Sequence, residues 1–163
     1  MQNVEVLISA MNLLDTSLLE TTNIQTDAVL ISQSSLEDYQ EINYKSLSVK
    51  FLSTLERGLS KSRNKAIDLA SGDICLICDD DENLHDNYEK LILKAYSEIP
   101  DADVITFRFK YPGKKYDNSI KRIGYLNAST ISSVEITFKR KKIVESKIRF
   151  NESFGAGSVY ALG

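Results

Sequence analysis

The sequence contains no run of 18 apolar residues, which excludes an apolar helix crossing a bilayer. It opens MQNVEVLISAMNLL, without the basic stretch and small-residue cleavage site of a secretory leader. Cysteine is scarce. There are two in 163 residues, both in one apolar run, which argues against a disulfide-built scaffold and fits a reducing, cytoplasmic setting. Histidine occurs once, so no His pair can complete a zinc site. Only two prolines, with 42% hydrophobic and 26% charged residues, argue against widespread disorder. No internal repeat or low-complexity tract is present. The length suits one domain and suffices to bury a core without disulfides or a structural metal.

Charge is present but unevenly spread. Residues 1–100 hold eight Lys and Arg against 17 Asp and Glu, a net of −9. Residues 101–163 hold 12 against six, a net of +6. Two explanations stand side by side: a metal-binding acidic part facing a basic part that meets a phosphate or an anionic surface, or uneven solvated faces. The run KRKK (residues 139–142) has the same two readings, a phosphate or membrane contact or a solvated edge.

Short runs of Val, Ile and Leu at residues 4–9, 27–32, 48–53, 73–78 and 103–109 predict strands, most of them buried on both faces of a parallel sheet. Between them lie a short helix in SLLETTN and a helix over 59–72, with Ser60 as candidate N-cap and Gly72 as its stop. A third helix is predicted over 86–100. Asp86 and Glu89 form a capping box, Pro100 ends it, and Tyr88, Leu91, Ile92, Ala95, Tyr96 and Ile99 make its apolar face. Alternating strands and helices predict an α/β domain, with a mostly parallel central sheet and helices on both faces. The expected division is a nucleotide-binding half at 1–110 and an irregular, mixed segment at 111–163, within one domain.

The stretch GDICLICDDDENL (residues 72–84) invites two chemistries. Read as C-x-x-C, it suggests a redox pair or half a zinc site. On a strand, however, Cys75 and Cys78 would lie roughly 10 Å apart and point to opposite faces. A disulfide needs Cα atoms within about 7 Å. Both cysteines are therefore expected to be small buried hydrophobes. Asp79, Asp80 and Asp81 follow at the strand's carboxyl end, the sheet edge at which open α/β folds bind ligands. Converging carboxylates repel unless a cation or strong donors intervene. Oxygen ligands of this kind suit Mg²⁺ or Mn²⁺, with phosphates completing the shell. The bland alternative is an acidic, solvated loop. An EF-hand is excluded, because Leu84 and Lys90 fall where the loop needs Gly and Glu.

ERGLSKSRNKAIDLASGDICLICDDDENL (residues 56–84) resembles the core of family 2 glycosyltransferases, inverting enzymes of the A-type, Rossmann-like nucleotide-diphospho-sugar transferase fold. Gly58, Arg63-Asn64, Ala70-Ser71-Gly72-Asp73 and Asp79-x-Asp81 occur in the family's order, and VEVLISAMN is similar to its first strand and nucleotide-contacting turn. The resemblance covers residues 3–110 well. It implies sugar transfer from a nucleotide-diphosphate donor, usually a uridine one, to a glycan or lipid-linked acceptor. It also implies surface polysaccharide synthesis at the inner membrane face, with peripheral membrane contact and no nucleic-acid partner. The implied donor contacts are Ser9, Ala10, Asn12, Gln33, Arg63, Asp79 and Asp80. The implied metal ligands for Mn²⁺ or Mg²⁺ are Asp79 and Asp81, where the ion would stabilise the departing diphosphate. His85 is expected to be solvated.

The sequence departs from the family pattern twice. Where many relatives carry an acidic base-reading residue after the second strand, this chain has Gln33 between Ser32 and Ser34, which can bond a base edge without charge. FGAGSVYALG resembles the approach to the catalytic-base motif, and the acidic residue would follow Gly163. Gly155 and Gly157 either line the donor sugar or shape a turn. Asp101, Asp103, Asp117, Glu135, Glu145 and Glu152 lie in no matching context. Beside the leading expectation of a glycosyltransferase stands an alternative, a truncated domain that grips a donor and transfers poorly, and no catalytic residue is assigned. A rival enzyme class, nucleotidyl transfer, would show a Gly-rich phosphate loop after the first strand, and SAMNLLDTS has none.

Overall fold

Apolar runs without polar alternation must be covered on both faces, and they form the middle of one sheet. A computed structural model describes residues 2–13, 15–108 and 119–160. Its strands are β1 (Val4–Met11), β2 (Ala28–Gln33), β3 (Asp38–Tyr44), β4 (Leu47–Thr54), β5 (Ile74–Asp79), β6 (Val104–Thr106) and β7 (Ile136–Lys139). The spatial order is β3-β4-β2-β1-β5-β7-β6. The four central strands β4, β2, β1 and β5 are parallel, while β3 and β7 run antiparallel to their neighbours. The chain therefore leaves β1 in one direction and returns on its other side at β5, which opens a crevice at their carboxyl ends.

Helices α1 (Leu18–Thr21), α2 (Leu59–Leu69), α3 (Tyr88–Glu98), α4 (Tyr125–Ala128) and α5 (Arg140–Glu145), with one 3-10 turn at Ser133–Glu135, complete the described elements. Strand alternation divides the core in two. Val4, Val6, Ile8 and Ala10 of β1 pack with Leu18 and Leu19 of α1 and with Tyr88, Ile92 and Tyr96 of α3. Leu7 faces the other way, toward Ala66 and Ile67 of α2, with Ile143 and Val144 of α5 at the margin. Cys78 belongs to the first cluster and Cys75 to the second, both free and buried, as their strand spacing predicts.

Several local expectations change. Strand β3 has no counterpart in the apolar pattern, since most of its residues are exposed. It forms by hairpin pairing with β4 through Lys45 and Ser46, both at positive φ, the twist that tight hairpins favour. Helix α2 starts at Leu59 with Gly58 as N-cap, so Ser60 lies inside the first turn instead of capping it. The helix ends at Leu69, before Gly72. Gly72 is needed for a different reason: a Cβ there would lie 2.6 Å from Cβ of Glu5. The capping box is absent from α3. Asn87 is the N-cap, in a left-handed conformation without a side-chain cap bond, and Asp86 Oδ1 instead accepts from Asn23 and Gln25. Leu91 is exposed, so the packed stripe narrows to Tyr88, Ile92 and Tyr96. The strand expected over 103–109 forms only at Val104–Thr106. Phe109, Asp117 and residues 161–163 lie outside the described residues.

Candidate functional site

Parallel pairing fixes which side chains meet at the carboxyl edge. Ser9 of β1 is in register with Asp79 of β5 on one side and Ile31 of β2 on the other. Ala10 pairs with Ser32, and Met11 with Gln33. Ser9 is buried, and its Oγ accepts from Ser62 Oγ at 2.9 Å, which ties β1 to α2. Ala10 is also buried. Asn12 is exposed at φ 55, a left-handed turn that Asn tolerates, and its N–H donates to the Gln33 carbonyl at 3.0 Å.

An ion pair in the crevice joins Arg63 and Asp79. Arg63 Nη2 donates to both carboxylate oxygens of Asp79, at 2.8 and 3.0 Å. The Arg63 side chain is 8% exposed and that of Asp79 28%, so the pair is shielded but open on the acidic side. The Phe150 ring lies 5.6 Å from the guanidinium carbon, within cation–π range. Arg63 Nε is buried with no hydrogen-bond partner among the described residues. The fork donor expected for a nucleotide is thus engaged with Asp79.

Asp80 and Asp81 follow β5 into an exposed turn. That turn is anchored further along. Asn83 Nδ2 donates to the Thr21 carbonyl, Leu84 N–H to Thr22, and Asn23 Nδ2 to both Leu84 O and Asp86 Oδ1. Those bonds lower the Asp86 pKa, first through Asn23 and then Gln25. Glu82 moves the opposite way: burial raises its pKa, helped by repulsion from Asp81 and Asp79. Its neighbours therefore share one negative field. Among the described residues, no three His, Cys, Asp or Glu side chains converge into a metal cage.

Ser32, Gln33 and Ser34, at the carboxyl end of β2, are buried. Gln33 Oε1 accepts from the Gly58 N–H at 2.7 Å, and Ser32 Oγ bonds both the N–H and the carbonyl of Leu13. They shape the loops around the crevice. His85 is exposed, as expected. Within the basic run, Lys139 Nζ donates to the Pro100 carbonyl, Arg140 Nε to Gly72 O, and Lys141 pairs with Glu145.

Four further residues escaped sequence reasoning in their roles: Ser62, Asn64, Phe150 and Glu152. Asn64 stood in the Arg-Asn motif, but its partners lie more than 80 residues away. No local pattern signals that contact. Phe150 and Glu152 carry no motif of their own.

The open α/β sheet, with an Arg-held carboxylate at the carboxyl end of β5 beside the switch point, has the A-type glycosyltransferase fold, as the likeness to solved structures shows. The model of glycosyl transferase family 2 matches residues 16–159, and the chain belongs to that family. Similar solved structures include TarS of S. aureus. TarS 1–349 in complex with UDP-GlcNAc shares 19% identity at a TM-score of 0.63, covering 96% of this chain and 51% of that one. The UDP complex of the same fragment shares 19% at 0.63, covering 93% and 51%, and the longer TarS structure 19% at 0.65, covering 93% and 31%. The chain thus spans about half the length of the 1–349 fragment. No curated protein sequence matches it.

Proposed function

We propose that this domain binds a nucleotide-diphosphate-sugar, a uridine one in the first instance, at the carboxyl ends of β1 and β5 and transfers its sugar to an acceptor hydroxyl. The observation that carries this reading is the Arg63–Asp79 pair, in register with Ser9 at the switch point of a family 2 chain. The TarS fragment, of like fold, is solved with UDP and with UDP-GlcNAc, which supports the donor class. Ser9, Ala10, Asn12 and Gln33 line the nucleoside side in this reading. Arg63, Asp79 and Asp80 face the ribose and diphosphate. The acceptor is a glycan or a lipid-linked sugar, and the process is surface polysaccharide synthesis.

The acidic turn suits a divalent cation. Its donors are carboxylate oxygens, the preference of Mg²⁺ and Mn²⁺, and with no complete cage among the described residues, phosphate oxygens would fill the shell. Asp81 is the more available ligand, because both oxygens of Asp79 are engaged by Arg63. When bound, the ion would neutralise charge on the departing nucleoside diphosphate. Arg63 then has two tasks, holding Asp79 in place and keeping a positive charge under the diphosphate.

Calorimetric titration with UDP, with and without Mn²⁺, tests the proposal. Binding that needs the ion and is lost in Asp81→Ala is the expected result. Preference for a nucleoside triphosphate, with pyrophosphate release, would move the domain to nucleotidyl transfer. Binding of UDP-sugar with neither hydrolysis nor transfer would reduce the function to donor capture.

A further inference from the structure

Helix α2 carries a polar stripe at four-residue spacing, Ser60, Asn64 and Asp68, which places all three on one face. Each bonds to the same later stretch of chain. Arg149 Nη2 donates to Asp68 Oδ1 at 2.6 Å. Asn64 Nδ2 donates to the Phe150 carbonyl and to Glu152 Oε1, both at 3.0 Å, and Asn64 Oδ1 accepts from the Phe150 N–H at 2.9 Å. Ser60 Oγ donates to the Phe154 carbonyl at 2.7 Å, and the Leu59 N–H to Ala156 O at 2.9 Å. Residues 149–156 thus run antiparallel along α2, from its carboxyl end toward its amino end. Gly155, at φ +105, allows the close approach, since a Cβ there would lie 3.3 Å from Ser60 Oγ.

Asn64 is the centre of this arrangement. Its amide has two N–H donors and one carbonyl acceptor, and all three face residues 150–152. It pairs with both backbone groups of Phe150, as a neighbouring strand would. That grip sets Phe150, whose ring covers the guanidinium of Arg63. Arg63 in turn holds Asp79.

We propose that Asn64 is a positioning residue: by fixing residues 150–152 it seats Phe150 over Arg63 and so keeps Arg63 on Asp79 at the ligand-binding edge. Only the last link, the effect on a nucleotide diphosphate, rests on the function proposed above. Asn64 has no role in contacting the ligand. Its effect reaches the crevice through one ring and one ion pair.

The test uses the full chain, with Asn64→Ala and, as a milder variant that preserves packing, Ser60→Ala. Two readouts need no nucleotide: hydrogen exchange at the Phe150 amide, and solvent exchange of the Arg63 Nε–H followed by NMR. Asn64→Ala is expected to speed both at least about tenfold while amides of β1 and β5 keep their protection. Ser60→Ala is expected to loosen residues 154–156 and leave Arg63 protected. UDP affinity, measured by calorimetry with Mn²⁺, should weaken about fivefold or more in Asn64→Ala. Unchanged Arg63 Nε–H exchange in a folded Asn64→Ala protein would overturn the proposal. So would a loosened segment with UDP affinity intact, which would leave Asn64 a purely structural clamp. If the native chain binds no UDP, the nucleotide reading falls, and the Arg63 signal still decides the positioning role. Should Asn64→Ala not fold, Asn64→Asp decides, because it keeps the volume but turns two donors into acceptors facing Phe150 O and Glu152.

Discussion

Asp79 and Asp81 stand two positions apart, yet their surroundings give them different work. Asp79 neutralises a cation that is almost wholly buried, whereas Asp81 lies in an exposed turn. Removing one partner of a shielded pair leaves the other charge unmatched. Asp79→Ala is therefore expected to destabilise the fold by about 1–3 kcal/mol, and Asp81→Ala to leave stability unchanged. Urea unfolding of both variants, beside the UDP titration, checks this. A ligand role for Asp81 predicts lost binding at native stability, while equal destabilisation by the two changes would refute the division. The residue types were legible in the sequence, since three aspartates after an apolar run stand out. Which of them pairs with Arg63 was not, because that choice depends on how α2 is tilted over β5.

At the scale of elements, the join between α2 and β5 shows why the helix ends at Leu69 and not at Gly72. Glu5, buried in β1, accepts from the N–H groups of Ser71 and Gly72, both at 2.6 Å, and lies 3.7 Å from Lys50 Nζ. The turn is drawn down onto β1, so that Gly72 touches Glu5. A glycine after an apolar helix reads locally as a C-terminal stop, but a contact across 67 residues has no local signature. Gly72→Ala is expected to cost about 1–3 kcal/mol through overpacking, measured as a lowered urea midpoint with unchanged m-value. A neutral substitution would mean that β1 and the turn can separate. Similarly, Asp86 and Glu89 have the spacing of a capping box. The polar groups of Asn23 and Gln25, brought close by the α1–β2 connection, capture Asp86 instead.

For the whole molecule, the two cysteines sample both halves of the core. Burial pushes each thiol up to about 12, with nearby carboxylates adding to the effect: Glu5 at Cys75, and Asp79 first among those at Cys78. The folded state thus favours the protonated form. That contribution to stability is complete below the unfolded thiol's value, about 8.5, and is lost as pH climbs through the folded value. Alkylation at pH 9 should leave both thiols untouched in the native protein and modify both in denaturant. Because Cys75 and Cys78 lie on opposite faces of one sheet, they should become reactive together, at the rate of global opening. Labelling of one alone in native buffer would show that its face opens independently.

Composition and pattern alone determined the α/β class, the mostly parallel sheet of buried runs, the inert placement of the cysteines and the acidic sheet edge. These follow from periodicity and strand geometry, which act over a few residues. Tertiary structure decided the pairing of Arg63 with Asp79, the β3 edge, the true ends of α2 and α3, and the docking of residues 149–156 along Ser60, Asn64 and Asp68. The β3 edge is a local hairpin whose exposed strand carries no apolar pattern, and the others join groups separated in the chain. Only the folded sheet brings them within hydrogen-bond reach, and there the geometry of burial outweighs local preference.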